Sequence, residues 1–516
     1  MSVGRTGAIA LVGLNGVRVD IEADVASGLP RFAVVGLPDR SLAEATDRVR
    51  SAIVNSGLDM PSQRVTVNLS PASLPKAGSS FDVGIAIAAL AATRQVSLDS
   101  VARTVHIGEL ALDGRLRPSR GVLPAVLGAA RAGAKVVIVP RANLAEAQLV
   151  EGIESVGAVS LRDVARWHGA NLEVHEEPVL ASAQGDASEV ALVDELDLSD
   201  VIGHQSAVEA LVAAAAGGHH VSMLGPPGSG KTMLATRLAG ILPRLSQQQA
   251  LEVACVESLL HESGFSELPV QPPLEAPHHT ATPVSLVGGG SGVIRPGAIS
   301  RAHHGVLFLD EAPEFSRVAL DALRQPLETG EITVHRANQS ATFPAQFLLV
   351  LASNPCPCGN FGVRGEECTC AVDVRRRYLA RLSGPLRDRI DINLSLSRVT
   401  RIGQQLAQPT TTSAEARERV ARARDVSRAR WHGLGFEMNA HVPGSILRRQ
   451  EFCLPGKATA QLEKGLDNGL ITMRGYDRTL RLAWTLADLD AVASGVIKPP
   501  TLDHVGRALL MRRENT

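Results

Sequence analysis

The stretch "LGPPGSGKT", residues 224–232, restricts this chain more than any other. Gly225, Gly230, Lys231 and Thr232 stand in the spacing G-x-x-x-x-G-K-[ST], with Pro226, Pro227, Gly228 and Ser229 between the outer glycines. A strand-like run, "HVSML", comes before it and a helical pattern, "TMLATRLAGIL", comes after. That order suits a loop that cradles phosphate. Glycines let backbone amides face an anion, the lysine adds a point charge, and the threonine hydroxyl offers an oxygen to magnesium. Agreement of spacing and flanks separates this loop from a glycine turn without a ligand.

A chain of 516 residues exceeds a single core and suggests about three domains of roughly 150 residues. Its formal net charge is -1, so any contact with nucleic acid must come from a local patch or from a ring that gathers such patches. The longest strongly apolar run, "VGIAIAALAA" (83–92), falls short of the roughly 20 residues of a membrane helix. The amino-terminal "MSVGRTGAIALVG" lacks the longer apolar stretch and cleavage site of a secretory signal. A soluble, cytoplasmic protein is expected, with no membrane partner. Four of the six cysteines crowd into residues 356–370, which is not the pattern of a disulfide framework in so long a chain.

Composition and periodicity divide the chain at residues 1–170, 171–198, 199–400 and 401–516. In the first segment "RFAVVGLP" and "RVTVNLS" read as strands. Between them "SLAEATDRVRSAIVNSG" puts Leu42, Ala45, Val49 and Ile53 on one helical face and stops at Gly57. An α and β domain follows. Residues 171–198 lose periodicity and gain acid, including Asp194, Glu195 and Asp197, which reads as a solvated linker. The break "GQQLAQPTTTS" (403–413) precedes a helical remainder.

Downstream of the phosphate loop, "GVLFLDEAPEF" (305–315) reads as a buried strand ending in Asp310 and Glu311. Asp310 is placed to hold magnesium and Glu311 to polarise an attacking water. A further strand, "QFLLVLASN", ends in Asn354, which could position that water. Between them "GEITVHRANQSATF" predicts a hairpin of strands 331–335 and 340–343 joined by the turn Arg336-Ala337-Asn338-Gln339.

"GPPGSGKT", "LFLDE", Asn354 and "SGPLRDRID" together resemble an AAA+ ATPase. The longer texts "APHHTATPVSLVGGGSGVIRPGAISRAHHGVLFLDEAPEF", "ASNPCPCGNFG" and "RYLARLSGPLRDRIDI" resemble the magnesium-chelatase-like branch, and within it the YifB/ComM group, over almost the full chain. The resemblance implies an α/β fold: a P-loop NTPase core with a helical lid, preceded by a Lon-protease-like α+β domain of the ribosomal protein S5 domain 2 type. It implies a homohexameric ring that uses ATP and Mg2+. Arg389 would reach into the neighbouring subunit's nucleotide, and Arg474 would contact the nucleotide of its own subunit. The run 286–305, with Arg295, Arg301, His303 and His304, and the hairpin with Arg336 match insertions that line the pore of such rings. With only 3% aromatic residues, backbone tracking along DNA by Arg295 and Arg336 is expected rather than base reading.

Cys356, Cys358, Cys368 and Cys370 could close a tetrahedral zinc site, although C-x-C pairs are tighter than the usual C-x-x-C; free thiols and a disulfide are the other readings. Ser80 in "KAGSSFD" matches a Lon-like nucleophile, but the position matching its lysine is Leu123, so no protease is expected. The pairs His219-His220 and His278-His279 read as structural or as supports behind a site's own residues, with neighbouring side chains on a strand pointing opposite ways. Arginines 417, 419, 422, 424, 428 and 430 read as a solvated face or, less simply, a DNA contact. The resemblance points to a DNA motor of the branch-migration kind, acting on single-stranded or branched DNA in uptake and recombination, with recombination proteins as partners. The alternative is a chelatase-like motor remodelling a protein, and a third reading, a nucleotide-gated scaffold, conflicts with the intact Asp310-Glu311 pair.

Overall fold

The computed structural model describes residues 3–36, 39–60, 62–71, 74, 80–175, 177–180, 196–262, 264–290, 294–336, 339–363, 365–398 and 411–513. Two sheets organise it. The amino-terminal sheet has seven strands in the order Arg31–Val35, Arg64–Ser70, Asn15–Ala26, Gly4–Val12, Thr104–His106, Val136–Pro140 and Glu154–Ala158. Antiparallel pairing of Gly4–Val12 with Asn15–Ala26 and of the latter with Arg64–Ser70 makes this sheet mixed, since the remaining pairs are parallel. The helix Asp82–Ala92 is apolar all round and buried along its whole length, as such a sequence must be. On the helix Asp39–Asn55, Ala45, Val49 and Ile53 are buried as the periodicity requires; the side chain of Leu42 lies outside the described residues. Gly57 follows at φ +71°, a conformation that glycine adopts without a Cβ clash.

The second sheet has five parallel strands, ordered Leu274–Glu275, Val306–Leu309, Leu348–Ser353, Val221–Leu224 and Ile392–Ser395. Its strands Val306–Leu309 and Leu348–Ser353 are buried at every residue. Continuous apolar runs are what a parallel sheet covered on both faces demands. Among the described residues no helix is long and apolar enough to cross a membrane.

Four longer helices, Ser413–Trp431, Gly456–Asp467, Met473–Ser494 and Leu502–Arg512, follow the sheet and share its core. Here the arginine-rich stretch departs from expectation. Arg417 donates to Gly240 O, Arg424 to Ala215 O, Arg419 pairs with Glu209, and Arg430 pairs with the buried Asp488. Four of the six arginines therefore fasten the helix Ser413–Trp431 within the chain, and neither a solvated face nor a DNA patch describes them. The carboxyl end of the acidic stretch also differs. Leu198 is fully buried, Asp197 Oδ2 accepts from Ser413 N–H, and Leu198 N–H donates to Ser413 Oγ. Residues 197–198 are an anchor rather than solvated linker. Residues 181–195 and the break 403–410 lie outside the described residues.

Several buried histidines are held neutral. His106 and His168 meet Nε2 to Nε2 at 2.9 Å, and burial lowers His106 well below its ordinary value and His168 to about 4. Burial also lowers His220 and His303 to about 4. A histidine that protonates near 6.5 when unfolded but only near 4 when folded favours the unfolded chain as pH falls between those values. Asp82 and Glu146, raised by burial to about 6 and about 7, act in the opposite sense. Burial raises Glu257 and Asp488 as well and lowers His204 and His441, so six histidines stand against four carboxylates. A lower urea midpoint at pH 5 than at pH 7.5 is the expected result, and an equal or higher one would contradict this assignment.

Candidate functional site

The phosphate loop leaves the carboxyl end of the strand Val221–Leu224 and enters the helix Lys231–Ile241. Gly230, the residue before that helix, has φ +83°. A side chain there would be strained, which explains glycine at this point of the motif. Lys231 is 8% exposed, and its ammonium donates to Gly225 O (2.7 Å), Pro226 O (3.0 Å) and Asn354 Oδ1 (3.1 Å). Burial lowers its pKa, while Asp310 and Glu311 pull it back up. Thr232 Oγ1 donates to Asp310 Oδ2 at 2.9 Å. A sheet with strand order 274, 306, 348, 221, 392 thus gathers the loop, the two acids and Asn354 at one end, although they span over a hundred residues of sequence.

Glu311 adopts a left-handed backbone, φ 50° and ψ 42°, uncommon for a side chain of its kind. Its N–H donates to Asp310 Oδ1 (2.9 Å), and its carboxylate Oε2 lies 3.3 Å from His279 Nδ1. His279 was not legible as part of the site. Residues 278 and 279 stand in a loop, and their rings lie side by side with centroids 4.1 Å apart, so the alternation of a strand does not apply. The other pair is structural as expected: His219 bonds Thr485, and His220 Nδ1 accepts from Leu349 N–H.

The phosphate loop and its neighbours fit a nucleotide and magnesium. Ser229 Oγ is buried without a partner among the described residues, nothing crowds Gly228, and the Thr232 hydroxyl beside the Asp310 carboxylate is a hard oxygen donor set.

Arg389 lies elsewhere. It precedes the strand Ile392–Ser395, whose first residue pairs with Val221, so it sits at the amino-terminal end of the parallel strands, opposite the phosphate loop at their carboxyl ends. The four-residue strand between them spans roughly 13 Å. Arg389 donates to Pro385 O and pairs with Glu328. Arg478 donates to Arg389 O (2.8 Å) and to Asp391 Oδ1 (2.6 Å). Asp391 is 2% exposed and held far below the usual carboxylate range; Arg478 and His219 outweigh the burial that would raise it. Arg474 is exposed, one helical turn before Arg478. The structure therefore sets Arg474 on Arg389's side of the sheet and does not bring it to the phosphate loop of its own chain. Arg478 and Asp391 were missed in sequence because nothing local distinguishes them from surface ion pairs.

In the hairpin, Glu331–Arg336 pairs with Gln339–Pro344, and Arg336 faces Gln339 as the last pair. Arg336 is thus a strand residue, not a turn residue; Ala337 and Asn338 lie outside the described residues. The Arg336 guanidinium lies against Gly289 of the other insertion, where an added Cβ would stand 2.7 Å from Nη2. Arg295 and Arg336 are exposed. Arg301 instead pairs with Glu275, and His303 and His304 both meet Glu252. Because Gln346 N–H donates to His303 Nδ1, the neutral ring carries its proton on Nε2 and donates to Glu252, a clamp rather than a ligand set. Ile332, Val334, Ala341 and Phe343, on the apolar side of the hairpin, pack with Leu11 and Leu14 of the amino-terminal domain.

Ser80 lines a cavity of about 280 Å³ with Arg120, Arg295 and Ser340, and the residue in the lysine position, Leu123, is fully buried with its N–H on Ser258 Oγ. Cys356, Cys358, Cys368 and Cys370 converge, with all sulfurs within 4.8 Å of one another.

Family models match most of the chain: "Subunit ChlI of Mg-chelatase" over residues 21–143, "Magnesium chelatase, subunit ChlI" over 197–403, and "Magnesium chelatase, subunit ChlI C-terminal" over 410–512. An uncharacterized protein of Mycobacterium tuberculosis is 46% identical over 99% of both chains. Competence protein ComM of Haemophilus influenzae is 40% identical, covering 98% of this chain and 97% of its own. The uncharacterized protein YifB of Escherichia coli is 40% identical over 93% of this chain and 92% of its own. Similarity to Lon protease 2 of Bacillus subtilis is partial, 31% identity over 27% of each chain. With a phosphate loop, paired acids and a parallel five-stranded sheet in place, and with relatives matched end to end, this chain belongs to the magnesium-chelatase-like YifB/ComM family of AAA+ proteins.

Proposed function

We propose that this chain is the subunit of a cytoplasmic, homohexameric ring ATPase that moves single-stranded or branched DNA through its centre. The observation that carries this reading is the separation of Arg389 from its own phosphate loop by the depth of the sheet. An arginine so placed serves a nucleotide only if that nucleotide belongs to an adjoining copy, and a closed ring gives every site such a neighbour. Arg474, on the same side, is proposed to act on the same neighbouring nucleotide, which replaces the expectation of a contact within its own subunit.

Within one chain, the loop amides of residues 225–230 and Lys231 would bind phosphate oxygens. Thr232 and Asp310 would hold magnesium, which supplies charge neutralisation at the phosphates. Glu311 would take the proton of the attacking water, and Asn354 would orient that water. Arg389 would offset charge that spreads over the transferred phosphoryl group. In this reading residues 1–170 form the Lon-like domain related to ribosomal protein S5 domain 2, acting as a guide for substrate rather than a protease. Residues 199–400 form the ATPase core and 401–516 the helical lid.

DNA as the polymer is supported by the exposure of Arg295 and Arg336 on adjoining insertions and by the word competence in the name of the Haemophilus relative. Recombination proteins would then be its partners. Arg336→Ala is expected to weaken DNA binding about equally across sequences and to make the salt slope shallower by about 1. Strand displacement on forked and four-way DNA, with ATP, tests the motor itself. Displacement that depends on ATP supports the reading; ATP turnover without displacement or stimulation by any DNA would overturn it.

A further inference from the structure

We propose that Cys356, Cys358, Cys368 and Cys370 hold one zinc ion as thiolates, and that the loop closed by this ion is a wall of the phosphate loop, so that metal occupancy sets nucleotide affinity. The second half of the proposal rests on the ATP reading above.

Geometry carries the first half. Cys356 Sγ lies 3.3 Å from Cys358 Sγ and 3.7 Å from Cys368 Sγ, and Cys358 Sγ lies 3.7 Å from Cys368 Sγ. Four sulfurs about 2.3 Å from a tetrahedral zinc ion stand about 3.8 Å apart. Two of the three separations already match that edge, and all are too long for a disulfide bond of about 2.05 Å. Phe361 N–H donates to Cys356 Sγ at 3.4 Å, the kind of outer hydrogen bond that orients a ligating sulfur. On ligation each thiol releases its proton to solvent, leaving a charge of about -2. Arg375, 3.8 Å over the ring of Phe361, whose N–H meets Cys356, is the nearby cation, while the charge of Arg398 is met by Glu366.

The second half follows from what the loop touches. Gly359, at φ +80°, packs so closely on Pro227 that a Cβ would come within 2.6 Å of the proline ring. Arg398, tied to Glu366 between the two cysteine pairs, donates to Pro227 O at 3.0 Å. Pro227 thus meets the cysteine loop directly at Gly359 and, through Arg398, at Glu366. The same loop begins two residues after Asn354, which holds Lys231. With the ends of residues 356–370 drawn together by one ion, Pro227 and the amides that follow it keep their position; without the ion this segment loses its cross-link.

The test uses the full chain purified without added metal. Elemental analysis is expected to find about one zinc per chain, released by an organomercurial. Less than one tenth of that, unchanged after incubation of the reduced protein with zinc salt, overturns the metal site. Cys368→Ser/Cys370→Ser is expected to lack zinc and to bind fluorescent ADP at least about tenfold more weakly. Arg398→Ala, which leaves every sulfur in place, is expected to keep zinc and to weaken ADP as well. If both variants fold, by circular dichroism, and bind ADP like the parent, the coupling is wrong. A parent that holds zinc but binds no nucleotide removes the ATP reading and the coupling with it, while the metal site stands.

Discussion

Arg389→Ala is expected to bind ATP within about twofold of the parent and to hydrolyse it about 10³-fold more slowly, because a guanidinium that stabilises the transferring phosphoryl group is worth at least that much. Binding survives because Lys231, Thr232 and the loop amides of the same chain lie at the other end of the parallel strands. The competing account is that Arg389 is simply the partner of Glu328. The Arg389 side chain is largely enclosed and only Glu328 is exposed, so loss of the pair would lower melting and change turnover hardly at all. Glu328→Ala separates the accounts: it removes the pair and leaves the guanidinium, so turnover near the parental rate is expected. ATPase activity measured at saturating ATP, with affinity measured separately, decides between them. Full activity in Arg389→Ala would refute the role.

Glu311→Gln should lower turnover by about 10² to 10⁴-fold, the range for loss of a general base, while nucleotide binding is retained. The amide keeps shape and removes the charge. Asp310 still accepts from Thr232 Oγ1, so magnesium binding is expected to persist. The left-handed backbone at Glu311 aims its carboxylate toward His279, whose Nδ1 lies 3.3 Å away. Single-turnover hydrolysis distinguishes a lost proton acceptor from slow product release. A single-turnover rate within about tenfold of the parent would contradict the assignment.

Much of the candidate site was legible because its motifs are local. Gly230, Lys231 and Thr232 are adjacent, and Asp310 and Glu311 end an apolar run that cannot be mistaken for a helix. Parallel strands then bring those separate texts together, and Asn354 Oδ1 meeting Lys231 Nζ is the consequence. The four cysteines were legible for the same reason. What escaped is tertiary. Nothing in the sequence near Arg424 says that its guanidinium will be buried against Ala215 O rather than solvated. The helical pattern around Arg474 does not show that its next turn is tied to Asp391, and so on which side of the sheet it lies. The hairpin keeps the expected register, with His335 opposite Ser340, but its strands run one residue further into the turn, at Arg336 and Gln339, because cross-strand pairing, not turn composition, decides where a strand ends. His279 stands in a loop, where strand alternation gives no guide to the direction of a side chain.

Mixing the two inactive variants tests the shared site most directly. Arg389→Ala carries an intact phosphate site without its arginine, and Glu311→Gln carries the arginine on a dead site. If the arginine acts across a subunit boundary, equal amounts allowed to exchange subunits should regain about a quarter of the parental ATPase rate, as random assembly of independent sites gives. A mixture no faster than the sum of its separate parts, under conditions where exchange is demonstrated, would contradict the account.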